Sequence, residues 1–287
     1  MDNLCHTLVG AALGEAGLKR RTRFGCATLM IASNLPDLDV LVFATDAPAV
    51  AFRRGWTHGL VGQALLPVAL TLAMVAVARL RPAGSPAAHS ARLGETADHA
   101  PPVSVRWLLL LSYLGTIVHV LFDLLNNYGV RLLSPLDWRW FYGDTLFIVD
   151  PWMWLMLGAG VWIARRRSAQ GAARVALQAA VLYVVVMLSS TGAARDAVAN
   201  AWESANATVP RALMVGPVPV TPLRRVVIVD AGDRYVTGTF GWLPTTVHFD
   251  SATVAKNEGD PRVAAARSAP DIQAFLVWSR FPYWTLD

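Results

Sequence analysis

Apolar positions in this chain gather into unbroken runs rather than one-sided stripes. The strongest is Leu60 to Leu80, LVGQALLPVALTLAMVAVARL, with no charge before Arg79. At about 1.5 Å of rise per residue it spans a bilayer core of about 30 Å. Pro67 inside it predicts a kink, which a membrane helix tolerates. Further runs cover Trp107 to Asn126, Ile148 to Ala164 and Ala176 to Thr191. The last two are short for a perpendicular crossing and fit one by tilting or extending at their ends. Ahead of them, Leu4 to Leu18 is apolar but short. Phe24 to Leu35 continues into LPDLDVLVF, where Pro36 predicts a broken helix. Backbone groups freed at such a break should face protein or water, not lipid.

The pattern changes after Thr191. Val226 to Val229 and Tyr235 to Phe240 are β-branched and aromatic, and a turn signal, AGDR, separates them, which predicts a hairpin. Asp271 to Arg280 reads as a closing helix, and Pro82 to Pro102 as a polar loop. The fold expected is mainly α: a polytopic transmembrane helical bundle over residues 1–195, then a small β-rich extramembrane domain over 205–287.

Composition agrees. Of 287 residues, 54% are hydrophobic and only 16% charged, with a mean hydropathy of +0.41. The net charge of +5 does not point to nucleic acid, because the basic residues flank apolar runs as cytoplasmic loops do. Twelve of them lie in one set of loops: Lys19, Arg20, Arg21, Arg23, then Arg79, Arg81, Arg92, Arg106, then Arg165, Arg166, Arg167, Arg174. The alternate loops hold four: Arg53, Arg54, Arg131 and Arg139. The first set is therefore expected in the cytoplasm, and the segment after Thr191 outside it. The first residues, MDNLCHTLVG, lack a basic n-region and do not read as a signal peptide. Cys5 and Cys26 fit neither a disulfide framework nor a zinc cluster.

Ionisable groups in membrane segments are costly and tend to be functional. His119 and Asp123 stand four apart on one helical face. That pair suits a divalent metal, or else a hydrogen bond between packed helices. Asp37 and Asp39 follow the break in NLPDLD, as a metal ligand with a proton acceptor or as an acidic helix end. His58 precedes the longest run and reads as a ligand or an interfacial histidine; His6 reads as a ligand or a packed side chain. Asp150, before Pro151, is an N-cap that can also support a ligand histidine. Arg53 and Arg54 can hold a substrate anion or lipid headgroups. Trp138, Trp140, Trp152 and Trp154 fit an interfacial belt. His89, His99 and His248 lie outside the site.

Five segments in order, MDNLCHTLVG, NLPDLD, RRGWTHG, HVLFDLLNNYG and DTLFIVDPWMW, resemble the motifs of the YdjM-like membrane-bound metal-dependent hydrolases over about residues 1–165. The resemblance implies metal-site roles for His6, Asp37, Asp39, His58, His119 and Asp123. A more distant similarity is to zinc-dependent phospholipase C and P1-type nucleases, although their further His and Glu ligands have no match here. The expectation is a multi-pass inner-membrane hydrolase with one or two divalent ions, zinc foremost. His6, His58, His119 and Asp123 would supply most ligands, with Asp37 or Asp39 as base. The partners expected are the bilayer and a lipid or phosphate-containing substrate. Site and C-terminal domain are expected on the extracytoplasmic side. The rival readings are an ion or proton transporter and a membrane scaffold with a structural metal.

Overall fold

A computed structural model describes residues 1–81 and 101–286. The loop expected from Pro82 falls largely outside the described residues, as do Arg92, His89 and His99. The helices are α1 (Asn3–Glu15), α2 (Gly25–Ala32), α3 (Ala49–Phe52), α4 (Leu60–Leu80), α5 (Val105–Leu124), α6 (Pro151–Arg167) and α7 (Gln170–Asn206). After them come β1 (Ala212–Pro217), β2 (Arg224–Asp230), β3 (Arg234–Trp242), β4 (Thr245–Ala255), α8 (Pro261–Ala266) and α9 (Pro270–Trp278). Short 3₁₀ segments run over Leu18–Arg21 and Leu35–Ala44.

Among the described residues, three helices can cross a membrane by length and composition: α4, α5 and α7. The expected break at Pro36 is present, since α2 and the 3₁₀ segment after it pass the same test as a pair bent by 48°. The third apolar run becomes α6, whose 17 residues fall short of that test and end on Arg165, Arg166 and Arg167. Outward faces are apolar, with Leu65 and Leu72 on α4, Ile117 and Leu121 on α5, and Val181 and Val185 on α7 all exposed. That suits a lipid surrounding.

The helices pack as a row, with α4 on α5, α5 on α2, α2 on α1, and α1 on α6 and α7. Small residues bring the inner members close. A Cβ at Gly10 would stand 2.8 Å from the Leu29 carbonyl oxygen, and one at Gly115 would stand 2.4 Å from Ala32 Cβ. Such contacts let backbones approach where lipid offers little hydrophobic drive. Carboxylates fix two helix starts. Asp2 Oδ1 accepts from the backbone N–H groups of Leu4 and Cys5, and Asp150 Oδ1 from those of Trp152 and Met153. The other Asp150 oxygen accepts from the Tyr183 hydroxyl. Asp150 is thus a cap tied to α7, rather than a support for a histidine.

The predicted hairpin is β2–β3, with Val227 opposite Gly238. It is the centre of an antiparallel sheet ordered β1-β2-β3-β4. Helix α7 continues past Thr191 and lays Ala194, Val198 and Trp202, four residues apart, against Val215, Val227, Val229 and Phe240. The helix that closes the first part of the chain is therefore also the floor of the second core.

Candidate metal centre

Four chain segments deliver the polar residues to one end of the helical row. The 3₁₀ segment brings Asp37 and Asp39, the turn before α4 brings His58, α5 brings His119 and Asp123, and α1 brings His6. His6, His58, His119 and Asp123 are fully buried, and Asp37 and Asp39 nearly so.

Asp37, His58, His119 and Asp123 each offer one ligand atom, all within 4.8 Å of one another. His58 Nε2 and His119 Nε2 are 3.2 Å apart, and each lies 3.2 Å from Asp123 Oδ2. Asp37 Oδ1 completes the set at 3.7 and 3.8 Å from the two imidazoles. Four ligands about 2.0–2.1 Å from a tetrahedral zinc would stand about 3.3 Å apart.

The hydrogen bonds behind the rings decide what those atoms can do. His119 Nδ1 sits 2.8 Å from the Ser33 carbonyl oxygen, which only accepts, so the proton belongs on Nδ1 and Nε2 presents a lone pair. His58 Nδ1 is 2.9 Å from Thr57 Oγ1, which donates to Asp39 Oδ2. This relay again leaves Nε2 bare. Two lone pairs and a carboxylate oxygen thus face one another, an arrangement that a cation relieves. Asp37 Oδ1 is buried and takes no hydrogen bond. The donor set therefore fits a divalent ion, with two imidazoles and two carboxylates as in many zinc sites.

Burial also pushes the His58 imidazole below its ordinary range. Neutral imidazole is the form that ligates.

The remaining predicted residues take distinct places. His6 stacks on His119 with ring centroids 3.9 Å apart, and its Nε2 lies 3.3 Å from Asp123 Oδ1, beside the converging atoms rather than among them. That same oxygen accepts from the Met1 α-amino group. Asp39 stands behind His58, where Oδ2 also accepts from the Arg54 backbone N–H at 2.7 Å. Arg54 is buried with Nη1 3.2 Å from Asp123 Oδ2 and turned into the cluster. Arg53 is more open and runs along Asp39 and Asp37, 3.4 and 4.0 Å away.

Thr57, Asn126 and the Ser33 carbonyl were not singled out from the sequence. Asn126 Nδ2 reaches Asp123 Oδ1 at 3.5 Å while its Oδ1 accepts from the backbone N–H groups of Tyr128 and Gly129. Thr57 and Asn126 lie inside the quoted motifs RRGWTHG and HVLFDLLNNYG, which was the one available signal.

A family model described as YdjM inner membrane protein matches residues 1–194. No curated protein and no solved structure matches the chain.

Proposed function

The chain belongs to the YdjM inner membrane protein family, and from that premise we propose that it is a membrane-embedded metal-dependent hydrolase acting on a phosphoester of a lipid or lipid-linked substrate. The observation that carries this reading is the convergence of His58 Nε2, His119 Nε2, Asp123 Oδ2 and Asp37 Oδ1, the last buried without a hydrogen bond. These four would hold one ion, and the nitrogen and oxygen donors favour zinc. His6 would flank it through the second oxygen of Asp123.

When bound, a divalent ion there supplies Lewis acidity toward a phosphoryl oxygen. The protein's own groups do the rest. Asp37 is the least enclosed of the four ligands, with its side chain 10% exposed, so substrate and water would approach over it. Its carboxylate accepts the proton of the attacking water. Asp39, held by Thr57 and the Arg54 backbone, instead fixes the His58 ring. Arg53 beside Asp37 neutralises the incoming phosphate, and Leu38, Leu41 and Phe43, exposed on the same 3₁₀ segment as Asp37, suit an acyl chain.

The test is metal analysis of the detergent-purified chain, then turnover of phosphomonoester and phosphodiester lipids. Wild type should carry about one zinc per chain, the count that four ligands imply. Asp37→Asn alters a ligand, so its zinc affinity should fall by more than the about 10–100-fold that a merely supporting group is worth. At saturating zinc its turnover should still fall at least about 100-fold, the usual worth of a general base. A wild type without metal would remove the basis of the reading. A zinc-loaded protein that hydrolyses nothing, with zinc that does not exchange, would favour the scaffold.

We also propose a multi-pass topology in which the loops 19–23, 79–106 and 165–174 are cytoplasmic, and the site and the C-terminal sheet are extracytoplasmic. Two of the basic loops share one end of the molecule. Arg165 pairs with Glu15 at 2.9 Å, Lys19 with the same carboxylate at 2.8 Å, and Arg174 Nε donates to the Ala16 carbonyl. A cysteine at position 171, where a Cβ meets nothing within 4 Å, probes that end in a chain with Cys5 and Cys26 changed to serine. It should react with a membrane-impermeant maleimide only after permeabilisation. Labelling of intact cells would reverse the orientation.

A further inference from the structure

We infer that the C-terminal segment, which lies beyond the family-matched residues, reaches back to the metal cluster and that Trp278 is a positioning residue for it. The inference rests on the metal reading above.

Trp278 is the last residue of α9, and α9 packs on α3, just before Arg53 and Arg54. Its indole Nε1 donates to the Tyr128 carbonyl at 3.0 Å, and the two rings lie 5.1 Å apart. The Tyr128 ring in turn faces the Arg54 guanidinium at 4.6 Å. Arg54 Nη1 touches Asp123 Oδ2, the oxygen shared by both ligand histidines. A guanidinium on an aromatic face is held in orientation by cation–π attraction. Trp278 thus fixes Tyr128, Tyr128 fixes Arg54, and Arg54 fixes the carboxylate that holds the cluster together.

The C-terminal end of this chain of contacts is itself anchored. Tyr142 Oη donates to the Trp278 carbonyl at 2.8 Å. Two residues on, Arg280 forks onto both Asp144 oxygens at 2.7 and 2.9 Å and lies 4.3 Å over the Tyr142 ring. Arg225, buried on β2, donates to the Asp144 backbone carbonyl at 3.2 Å. The loop that follows α5 is therefore clasped by the C-terminal part of the chain at several points, and the contact at Trp278 meets Tyr128 directly, one ring away from Arg54.

The experiment is the rate at which zinc leaves the full-length, detergent-purified, zinc-loaded protein into excess chelator. Supporting contacts around metal ligands are worth about 10–100-fold in affinity, so Trp278→Ala should speed release at least about tenfold. Trp278→Phe, which keeps a ring on Tyr128, should release at close to the wild-type rate. Phe249→Ala is the control for general loosening of the domain. Its ring packs edge-on against Trp202 in the second core, and its loss should lower the melting temperature without changing the release rate. A wild type that binds no zinc would overturn the cluster reading itself. Zinc bound by wild type and released by Trp278→Ala at the wild-type rate would overturn this inference alone. Equal acceleration by Phe249→Ala would overturn it too, by reducing Trp278 to a structural contact.

Discussion

Replacing His119 with alanine is expected to strip the protein of its divalent ion while leaving the helices folded. His119 Nε2 stands 3.2 Å from both His58 Nε2 and Asp123 Oδ2, so its loss removes a corner of the ligand set. Losing a group that only supports a ligand costs about 10–100-fold in affinity, and losing the ligand should cost more, above about 100-fold. The substitution also leaves the Ser33 carbonyl without its donor, a penalty of about 1–3 kcal/mol in a buried place. Zinc-dependent stabilisation separates the two effects. At zinc about 100-fold above the dissociation constant, wild type should gain about 2.7 kcal/mol. His119→Ala should melt somewhat lower without zinc and gain at most about 0.4 kcal/mol at that zinc concentration. A variant that still binds zinc with wild-type affinity would show that the four atoms converge for packing alone.

Much of this arrangement was legible because water-seeking groups are conspicuous in apolar sequence. The run Leu60 to Leu80 and the helix α4 coincide, since nothing in that stretch competes with a helix in an apolar surrounding. His58, His119 and Asp123 stood out for the same reason. What the sequence left open was which of Asp37 and Asp39 faces the cluster. Both lie in a 3₁₀ segment of about three residues per turn, where positions two apart point about 120° apart. One carboxylate therefore meets the histidines' Nε2 atoms while the other lies behind His58, and pattern alone does not say that the segment is 3₁₀.

The length of α7 was hidden by a change of period. Up to Thr191 it reads as continuous apolar sequence, whereas beyond it only every fourth residue is buried. The same helix meets one surrounding and then another, running past residue 195 to Asn206. The outer strands were hidden differently. β4, TTVHFDSATVA, is an edge strand largely exposed, with an irregular register opposite Val236 to Gly238, so it lacks the alternation that marks a half-buried strand. β1 carries glycine and proline at its end and is a strand through pairing with β2.

The second large effect is expected at Gly115, which has no chemistry of its own. It lies one turn before His119 on the same face of α5, where that helix crosses the end of α2. A Cβ there would stand 2.4 Å from Ala32 Cβ and 3.0 Å from the Ser33 backbone nitrogen, so α5 and α2 would have to separate. The Ser33 carbonyl that orients His119 sits on the far side of the same contact, 2.8 Å from Nδ1. Gly115→Ala should therefore destabilise the protein by about 1–3 kcal/mol through overpacking. It should also weaken zinc binding about 10–100-fold by freeing the imidazole to turn. Gly158→Ala on α6 is the matched control, because a Cβ there meets nothing within 4 Å. That change should be neutral, or stabilising by up to about 1 kcal/mol from helix propensity. Thermal unfolding and zinc titration of the two variants side by side measure both effects. If Gly115→Ala matched Gly158→Ala in both, the close approach of α5 to α2 would not be what aims His119. If it lost stability but kept its zinc affinity, the imidazole would be held by the cluster itself rather than by Ser33.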